Sequence, residues 1–455
     1  MIIPIFNAPD EPFHFEYIQF IAQNKAIPNQ TVEEKSIATE GFNPPLYYSI
    51  NALFLSCFSK DKASDIKIHT HQDIAAFFRQ PSKGFGKHIY PPLNPRYIKW
   101  GRGSEKNMFL TTDKDTFPFS GSIGVVHILR MISILFGALT LFFIFKTTRL
   151  LFPANQNIPL LAASLCAFNP QFNFLSGSLN NDNLVIVWAT VALWLITKLL
   201  VSESDDKRMT IGLLGIVIGL GFITKINIAS IALVAVIAIL YTFTREKPRK
   251  ARDLSIHFLL FLAPIAAIAG WYFVRNVCMY GFNDVMGWHL MARQNPGLVL
   301  PPQYRAMVFK KIFFQRLFTS FWGLFDWLTI PLPSWMYWIY GVISMFGIAG
   351  IVAFFKGTPD KKGIKSCMML YLLAILFTFV NLVVLNFTFL SAQARLIFPT
   401  LACISLFIAI GIDGVLHRLS RLLKANVDYF FYSFIGLIIG LNLYTLFWII
   451  YPVYR

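Results

Sequence analysis

Charged residues are scarce in this sequence. Only 14% of its 455 residues are charged, whereas 56% are hydrophobic, and the mean hydropathy is +0.56. Soluble domains carry about 25% charged residues, because a folded soluble core needs a polar surface. The composition therefore excludes most classes of soluble enzyme and predicts a polytopic membrane protein.

Cysteine is also rare, and its five positions are scattered: Cys57, Cys166, Cys278, Cys367 and Cys403. This pattern excludes a disulfide framework and a zinc-finger spacing. His69 and His71 form a lone His-x-His without a third ligand nearby, which is more typical of solvent-exposed histidines than of a metal centre. The sequence therefore predicts no metal site and shows no required cofactor.

Long apolar runs are plentiful. Ten of them could cross the roughly 30 Å of hydrocarbon in a bilayer: 122–145, 158–175, 183–200, 209–224, 227–243, 255–273, 335–355, 366–389, 396–412 and 428–450. Only Lys225 and Ile226 separate the fourth run from the fifth, so these two form either a hairpin or one broken helix. We predict an all-α membrane protein with about 10–11 transmembrane helices.

Basic residues concentrate in alternate loops between these runs. One set of loops holds Lys146, Arg149, Lys207, Arg208, Arg245, Lys247, Arg249, Lys250, Arg252, Lys356, Lys361, Lys362, Lys365, Arg418, Arg421 and Lys424. The alternate short connections and the C-terminus hold almost none, namely Lys225, Arg395 and Arg455. This positive-inside pattern predicts that the first set is cytoplasmic. The basic cytoplasmic loops then account for most of the net charge of +17. A nucleic-acid partner is therefore disfavoured.

The predicted topology divides the chain into four parts. Residues 1–121 form a long external first loop with juxtamembrane helices at 11–25 and 46–58, and 122–273 hold spans one to six. Residues 274–334 form a second external loop, and 335–455 hold spans seven to ten. Within the second loop, 303–325 alternates basic and apolar residues, which predicts an amphipathic helix on the outer membrane surface.

Polar residues gather at the external end of this arrangement, although such groups are costly at membrane depth. They are Asp10, Glu11, Asp182, Lys225, Arg275, Asn276, Gln393 and Arg395. An acidic pair with several cations near the bilayer surface suits an anionic lipid headgroup that meets a group losing its proton.

Each of these residues also has a simpler interpretation. Asp10 and Glu11, followed by Pro12, could begin a helix, and Asp182 could cap the third span. The cations could extend to the membrane interface. Arg130, inside the first span, could either pair with an acid or bind a phosphate. The collection of all these groups on one side favours the functional interpretation.

Several short motifs resemble those of the C-type (GT-C) glycosyltransferases, membrane enzymes that use polyprenyl-phosphate sugars. These include the protein O-mannosyltransferases and the lipid A aminoarabinose transferases. Asp10-Glu11 within Pro9–Phe15 resembles their first-loop Asp-Glu motif, and Asn43-Pro44-Pro45-Leu46-Tyr47-Tyr48 is similar to their Pro-Pro-Leu-Tyr-Tyr segment. The other matches, in the same order along the chain, are Asn169-Pro170-Gln171-Phe172 with Asn180-Asn181-Asp182, Thr224-Lys225, Trp271 with Arg275-Asn276 and Tyr280-Gly281, Phe321-Trp322-Gly323, and Gln393-Ala394-Arg395.

The chain also departs from the family pattern. The family usually has a span before the Asp-Glu motif, whereas nine residues precede Asp10 here, so either the start is truncated or the chain begins outside the membrane. Gln393-Ala394-Arg395-Leu396 stands where Gln-Gly-Arg-Tyr is more usual. Residues 59–118 extend the first loop and resemble no recognisable motif.

The resemblance implies a GT-C fold and an inverting transfer of a sugar from a polyprenyl-phosphate donor to an acceptor hydroxyl. Asp10 would be the base and Glu11 would position the acceptor, supported by Asp182, His14 and Asn181. The donor phosphate would be bound by Arg130, Lys225, Arg275, Arg395 and Gln393. The acceptor would be a lipid, glycan or protein.

The resemblance also places the protein in a bacterial inner membrane or a plasma membrane, in contact with membrane lipids and with its active site on the external face. It leaves room for a divalent metal, because some relatives use one. No Gly-x-Gly-x-x-Gly stands in a βαβ setting, which disfavours a nucleotide-sugar donor.

Two other classes remain open. A transporter or flippase for a lipid-linked saccharide would need paired charges at the bilayer midplane and internal repeats, neither of which is evident. A non-catalytic relative could instead bind the lipid donor or a membrane partner.

Overall fold

The computed structural model describes residues 2–31, 36–37, 39–57, 117–119, 121–201, 207–245, 251–295, 299–357, 363–389 and 391–454. Most of the predicted first-loop extension at 59–118, including His69 and His71, lies outside the described residues. The same holds for 246–250 in the most basic of the predicted cytoplasmic loops.

Helices dominate the described part of the chain. They are α1 (Glu11–Asn24), α2 (Leu46–Leu55), α3 (Gly121–Leu151), α4 (Asn157–Ala167), α5 (Pro170–Ser176), α6 (Asp182–Val201), α7 (Arg208–Phe222), α8 (Ala229–Arg245), α9 (Ala251–Tyr280), α10 (Trp288–Gln294), α11 (Pro302–Val308), α12 (Phe314–Trp322), α13 (Ser334–Gly357), α14 (Ile364–Thr388), α15 (Leu401–Leu423) and α16 (Val427–Tyr444). Two-residue strands β1 (Leu324–Phe325) and β2 (Ile330–Pro331) pair antiparallel. The predicted all-α fold is thus confirmed.

Eight helices of the described part are long and apolar enough to cross a membrane, and they coincide with eight of the ten predicted runs. Their ranges are Ile123–Leu151, Asp182–Val201, Ile226–Arg245, Arg252–Tyr280, Ser334–Lys356, Ile364–Thr388, Ala394–Leu423 and Val427–Val453. Most of them expose large apolar side chains, as expected where a helix faces lipid.

The other two predicted runs form shorter helices. The run at 158–175 is interrupted at Asn169, whose side chain accepts a hydrogen bond from the Phe172 backbone N–H and so starts α5, with Pro170 at its first position. An N-cap followed by proline is a strong helix start. The run at 209–224 is the 15-residue α7, which is separated from α8 by the extended backbone of Lys225.

The bundle places several chain reversals at one end. There the start of α6, the α7–α8 junction and the 3-10 turn Ala394–Thr400 approach the N-terminal segment and α1. Helices alternate in direction, so this end is opposite to the basic connections that follow α3, α8 and α15. It is the end that the charge pattern predicts to be external.

Candidate active site

Asp10 lies immediately before α1 in a strained conformation. Its φ is 66°, a left-handed value that non-glycine residues rarely adopt, and its side chain makes no capping hydrogen bond. Instead, its Oδ2 pairs with Nη2 of Arg395, while 30% of the side chain stays exposed. Asp10 thus occupies the N-cap position of α1, but its carboxylate does not cap the helix, so a helix-start role alone does not account for it.

Asp182 joins two cations to the same cluster. Lys225 Nζ donates to Asp182 Oδ1 at 2.7 Å and to Asn181 Oδ1 at 3.0 Å. Arg395 Nε lies 3.8 Å from Asp182 Oδ2. Arg395 therefore bridges Asp10 and Asp182, and two cations face two carboxylates. We call Asp10, Asp182, Lys225 and Arg395 the charge cluster.

The charge cluster keeps unused hydrogen-bonding capacity. Asp182 Oδ2 and Arg395 Nε are buried and have no hydrogen-bond partner in the described part of the chain. Buried polar atoms are normally paired, and those left unpaired often belong to functional sites. These two atoms leave the cluster able to bind a further polar group.

Local structure positions three members of the charge cluster, namely Asp182, Lys225 and Arg395. The Asp182 backbone N–H donates to Asn180 Oδ1 at 2.8 Å, which closes the turn before α6. Trp188 Nε1 donates to Thr224 Oγ1 at 3.2 Å and so ties the residue before Lys225 to α6. The backbone N–H of Ala394, the residue before Arg395, donates to Ser320 Oγ of α12 at 2.9 Å.

Glu11 and Arg130 form a separate, fully buried ion pair. Arg130 donates from Nε to Glu11 Oε1 at 2.7 Å and from Nη2 to Glu11 Oε2 at 2.6 Å. The backbone N–H groups of Phe6 and Leu179 also donate to this carboxylate, at 2.8 and 2.9 Å. Because both oxygens are occupied, the geometry disfavours the predicted role of Glu11 in positioning an acceptor.

The same pair decides between the two hypotheses for Arg130. Its remaining donors reach the carbonyl oxygens of Ile3 and Pro4, at 2.6 and 2.9 Å, so the guanidinium is enclosed by protein. The structure favours pairing with an acid over phosphate binding. The ion pair instead joins the N-terminal segment to α3 and to the turn before α6.

Arg275 also lies apart from the charge cluster. It donates from Nη2 to the Pro28 carbonyl at 2.8 Å and from Nη1 to Asn276 Oδ1 at 3.3 Å. No contact described for it involves Asp10, Asp182 or Arg395. Of the four predicted phosphate-binding cations, the structure thus brings together Lys225 and Arg395.

A cleft opens beside Arg395, and Gln393 lines it. The other lining residues come from the N-terminal segment, α5 and its following turn, α12 and the hairpin loop: Pro9, Gln171, Phe174, Leu175, Ser178, Asn180, Ser320 and Leu328. The cleft is narrow, with an internal volume of about 10 Å³, which is room for about one water molecule. Gln393 thus lies where a ligand of Arg395 would bind.

Glu40 is a site residue that the sequence analysis missed. Tyr48 donates its hydroxyl to Glu40 Oε2 at 3.3 Å and accepts from Asn181 Nδ2 at 3.2 Å. His14 Nδ1 lies 3.0 Å from the Tyr48 hydroxyl and 3.6 Å from Glu40 Oε2. His14 and Asn181 were predicted as supporting residues, and the structure connects both to Glu40. The available signal was the position of Glu40 just ahead of the Asn43-Pro44-Pro45 motif.

The ionisation of these groups follows from burial and charge. Burial, and then the negative charge of Asp10, raise the pKa of Glu40 to about 7. Burial lowers the pKa of His14 to about 3, so its ring is neutral at physiological pH. Burial alone would raise the pKa of Asp10, but the positive charge of Arg395, helped by that of Lys225, outweighs it and lowers that pKa. Asp10 is therefore ionised at neutral pH, while Glu40 titrates there.

The donor set of the cluster does not fit a divalent metal. No group of three His, Cys, Asp or Glu side chains suited to hold an ion occurs among the described residues. The carboxylates of Asp10 and Asp182 already face Arg395 and Lys225.

Two solved structures are similar in overall fold. One is the archaeal oligosaccharyltransferase AglB from Archaeoglobus fulgidus, in complex with an inhibitory peptide and a dolichol-phosphate. It has 13% identity and a TM-score of 0.48 over 99% of this chain and 52% of that chain. The other is ArnT from Cupriavidus metallidurans bound to undecaprenyl phosphate, with 12% identity and a TM-score of 0.47 over 99% of this chain and 71% of that chain.

The chain spans about half the length of the oligosaccharyltransferase that it matches. No curated protein is significantly similar to it in sequence.

A family model matches most of the chain. The model is described as "Predicted membrane protein (DUF2142)", and the match covers residues 1–404. This range includes every member of the charge cluster and seven of the eight long apolar helices in full or in part. The chain therefore belongs to the DUF2142 family of predicted membrane proteins.

Proposed function

We propose that the protein is an inverting glycosyltransferase that moves a sugar from a polyprenyl-phosphate donor to an acceptor hydroxyl on the external face of the membrane. The observation that carries this proposal is the position of Asp10, a partly exposed and ionised carboxylate that pairs with Arg395, which itself lines a cleft. A transfer of this kind needs a base for the acceptor and positive charge for the leaving phosphate.

Arg395 and Lys225 are the proposed phosphate-binding residues. Arg395 lines the cleft and has an unpaired buried Nε, and Lys225 lies on the other side of Asp182. Guanidinium and ammonium groups bind phosphate through short, charge-assisted hydrogen bonds. Gln393 lines the same cleft and can donate its amide to a phosphate oxygen or a sugar oxygen.

Asp10 is the proposed general base. In the transfer, the acceptor oxygen attacks the anomeric carbon while its proton passes to an Asp10 carboxylate oxygen. The bond between the anomeric carbon and the phosphate oxygen breaks, and its electron pair stays on that oxygen. The products are a glycosylated acceptor with inverted configuration and a polyprenyl phosphate whose new charge faces Arg395 and Lys225.

Arg395 pairs with Asp10 and also lines the cleft, so donor binding would change the basicity of Asp10. With Arg395 on Asp10, the pKa of Asp10 is low, which keeps it ionised but makes it a weak base. A donor phosphate competes with Asp10 for the guanidinium. As Arg395 turns to the phosphate, the pKa of Asp10 rises and the carboxylate becomes a better proton acceptor.

Transport of a lipid-linked saccharide is less well supported. Transporters place their coupling charges near the bilayer midplane, at broken helices. Here the charge cluster lies at the ends of helices, where Asp182 begins α6 and Lys225 follows α7.

The direct test uses membrane vesicles that contain the protein and a panel of radiolabelled polyprenyl-phosphate sugars. We expect one donor to lose its sugar in the presence of the wild-type protein and to keep it in the presence of Asp10→Asn. Asp428→Asn is the matched control, because Asp428 is exposed at the far end of the bundle. Equal turnover by wild type and Asp10→Asn would remove Asp10 as the base, and movement of intact donors across the vesicle membrane would favour transport.

A further inference from the structure

The second external loop is basic without an evident reason. From 285 to 325 the chain contains no Asp or Glu but includes Arg293, Arg305, Lys310, Lys311 and Arg316. The positive-inside pattern predicts few basic residues on this side of the membrane. Neither the predicted topology nor the proposed reaction accounts for this excess.

The structure exposes two of these cations together. A π-helical turn, Phe309–Phe313, joins α11 to α12, and Lys310 and Lys311 lie on its exposed side. Neither lysine makes an ion pair or hydrogen bond in the described part of the chain. Phe314 follows them and is 65% exposed. We call Lys310, Lys311 and Phe314 the basic-aromatic patch.

The opposite side of this turn is anchored to a membrane-spanning helix. The rings of Phe309 and Phe387 lie 5.2 Å apart, and those of Phe313 and Phe379 lie 6.2 Å apart. Phe379 and Phe387 both belong to α14. The turn therefore lies against the last turns of α14, at the same end of the bundle as the charge cluster.

Exposed aromatic residues mark this level as the membrane interface. Trp335 and Trp338, in the first turn of α13, are both exposed, as is Phe387 near the end of α14. Aromatic side chains at helix ends are typical of the region where lipid headgroups begin. Lysines at this depth meet headgroup phosphates, and an exposed phenylalanine beside them can enter the acyl-chain region.

We infer that the basic-aromatic patch is a docking site for anionic phospholipids of this leaflet. Charge complementarity carries the assignment, because two exposed lysines without an ion-pair partner in the described part of the chain lie in a segment, 285–325, that has no acidic residue. Lipid phosphates are the anions available at a membrane surface. Ten residues of helix, or about 15 Å, separate Lys310 from Ser320, and Ser320 contacts the turn that carries Arg395. A bound phospholipid would thus hold the helix that forms one wall of the cleft.

The test is photo-crosslinking in vesicles of phosphatidylcholine and phosphatidylglycerol at a 3:1 ratio, with the full chain carrying benzoylphenylalanine at position 314. We expect preferential crosslinking to labelled phosphatidylglycerol over labelled phosphatidylcholine. Each lysine near an anionic surface contributes roughly a fivefold preference. Lys310→Gln with Lys311→Gln should therefore reduce the phosphatidylglycerol yield at least fivefold and leave the phosphatidylcholine yield unchanged.

Two double variants distinguish an effect of charge on lipid preference from an effect of misfolding. Lys310→Arg with Lys311→Arg should keep the preference, and Arg418→Gln with Arg421→Gln, at the opposite end, should not alter it. Equal yields for the two lipids in the wild-type protein would overturn the proposal. Displacement of phosphatidylglycerol by about 1% undecaprenyl phosphate would also overturn it, because the patch would then serve a polyprenyl phosphate. None of these readouts depends on sugar transfer, so the proposed function can fail while the docking site stands.

Discussion

At the residue scale, the most consequential observation is that the adjacent acids Asp10 and Glu11 have different surroundings. Asp10 is partly exposed and shares Arg395 with Asp182, whereas Glu11 is enclosed with Arg130. The surroundings of these two adjacent residues therefore indicate different roles, a chemical role for Asp10 and a structural role for Glu11. A motif match alone could not separate them.

Glu11→Gln tests the structural task. The substitution leaves the Arg130 charge buried without a partner, which costs about 3–5 kcal/mol. We expect a lower unfolding midpoint in detergent and a poor yield of folded protein. Replacing both members, as Glu11→Gln with Arg130→Met, should recover part of the stability. A Glu11→Gln protein as stable as wild type but with a raised KM for acceptor would restore the acceptor-positioning role.

The pH dependence of stability in the Glu40→Gln variant tests the raised pKa of the Glu40 carboxyl. The pKa of Glu40 is about 7 in the folded protein, above its ordinary value, so the unfolded chain loses this proton first as the pH rises. The wild type therefore loses stability between about pH 4.5 and 7, by up to about 3 kcal/mol. Glutamine removes this dependence. The unfolding midpoint of Glu40→Gln relative to wild type should rise from pH 5 to pH 8, and a constant difference would contradict the assignment.

The sequence predicted which residues belong to the site better than it predicted which residues pair with each other. The sequence predicts that Asp10, Asp182, Lys225 and Arg395 lie together, along with Glu11, Arg275, Asn276 and Gln393, because all of them fall on the external side of the predicted topology. The pairing of Arg130 with Glu11 spans 119 positions and follows only from tertiary packing. Glu40 was missed because it lies in a polar loop, where an acidic residue carries no signal until its burial is known.

At the element scale, close helix packing depends on individual glycines. A Cβ on Gly411 of α15 would lie 1.9 Å from the Phe346 carbonyl oxygen of α13, and one on Gly350 would lie 2.1 Å from the Phe407 carbonyl oxygen. Small residues at such crossings let the backbones of membrane helices approach each other.

Gly411→Ala should therefore force α13 and α15 apart and lower the free energy of unfolding by about 1–3 kcal/mol. Gly414→Ala, three residues along the same helix, meets nothing within 4 Å and serves as the control. We expect it to be neutral or slightly stabilising, because alanine favours helix over glycine. Similar unfolding midpoints for the two variants would contradict the packing.

The positions of apolar runs predicted the long helices, because 20 or more apolar residues have few alternatives in a bilayer. The interruption at Asn169 and the extended Lys225 were less predictable. They depend on a cap and a backbone conformation that hydropathy does not register.

At the scale of the whole molecule, sidedness is the prediction on which the external reaction rests. Cys57, after α2, and Cys278, near the end of α9, are exposed, while Cys166, Cys367 and Cys403 are buried. A membrane-impermeant thiol reagent added to intact cells should label the protein, and Cys57→Ser with Cys278→Ser should remove that signal. In this double-serine background, Lys424→Cys should react only after permeabilisation. The reverse accessibility would invert the topology and place the charge cluster in the cytoplasm.

The measurement that tests the central claim most directly compares turnover with donor binding in Asp10→Asn, using the donor that the wild type consumes. General-base catalysis contributes about 10²–10⁴-fold, so turnover should fall by that factor. Donor affinity should be unchanged or slightly higher, because Arg395 is released from Asp10. Wild-type turnover in a folded Asp10→Asn protein that still binds donor would contradict the account.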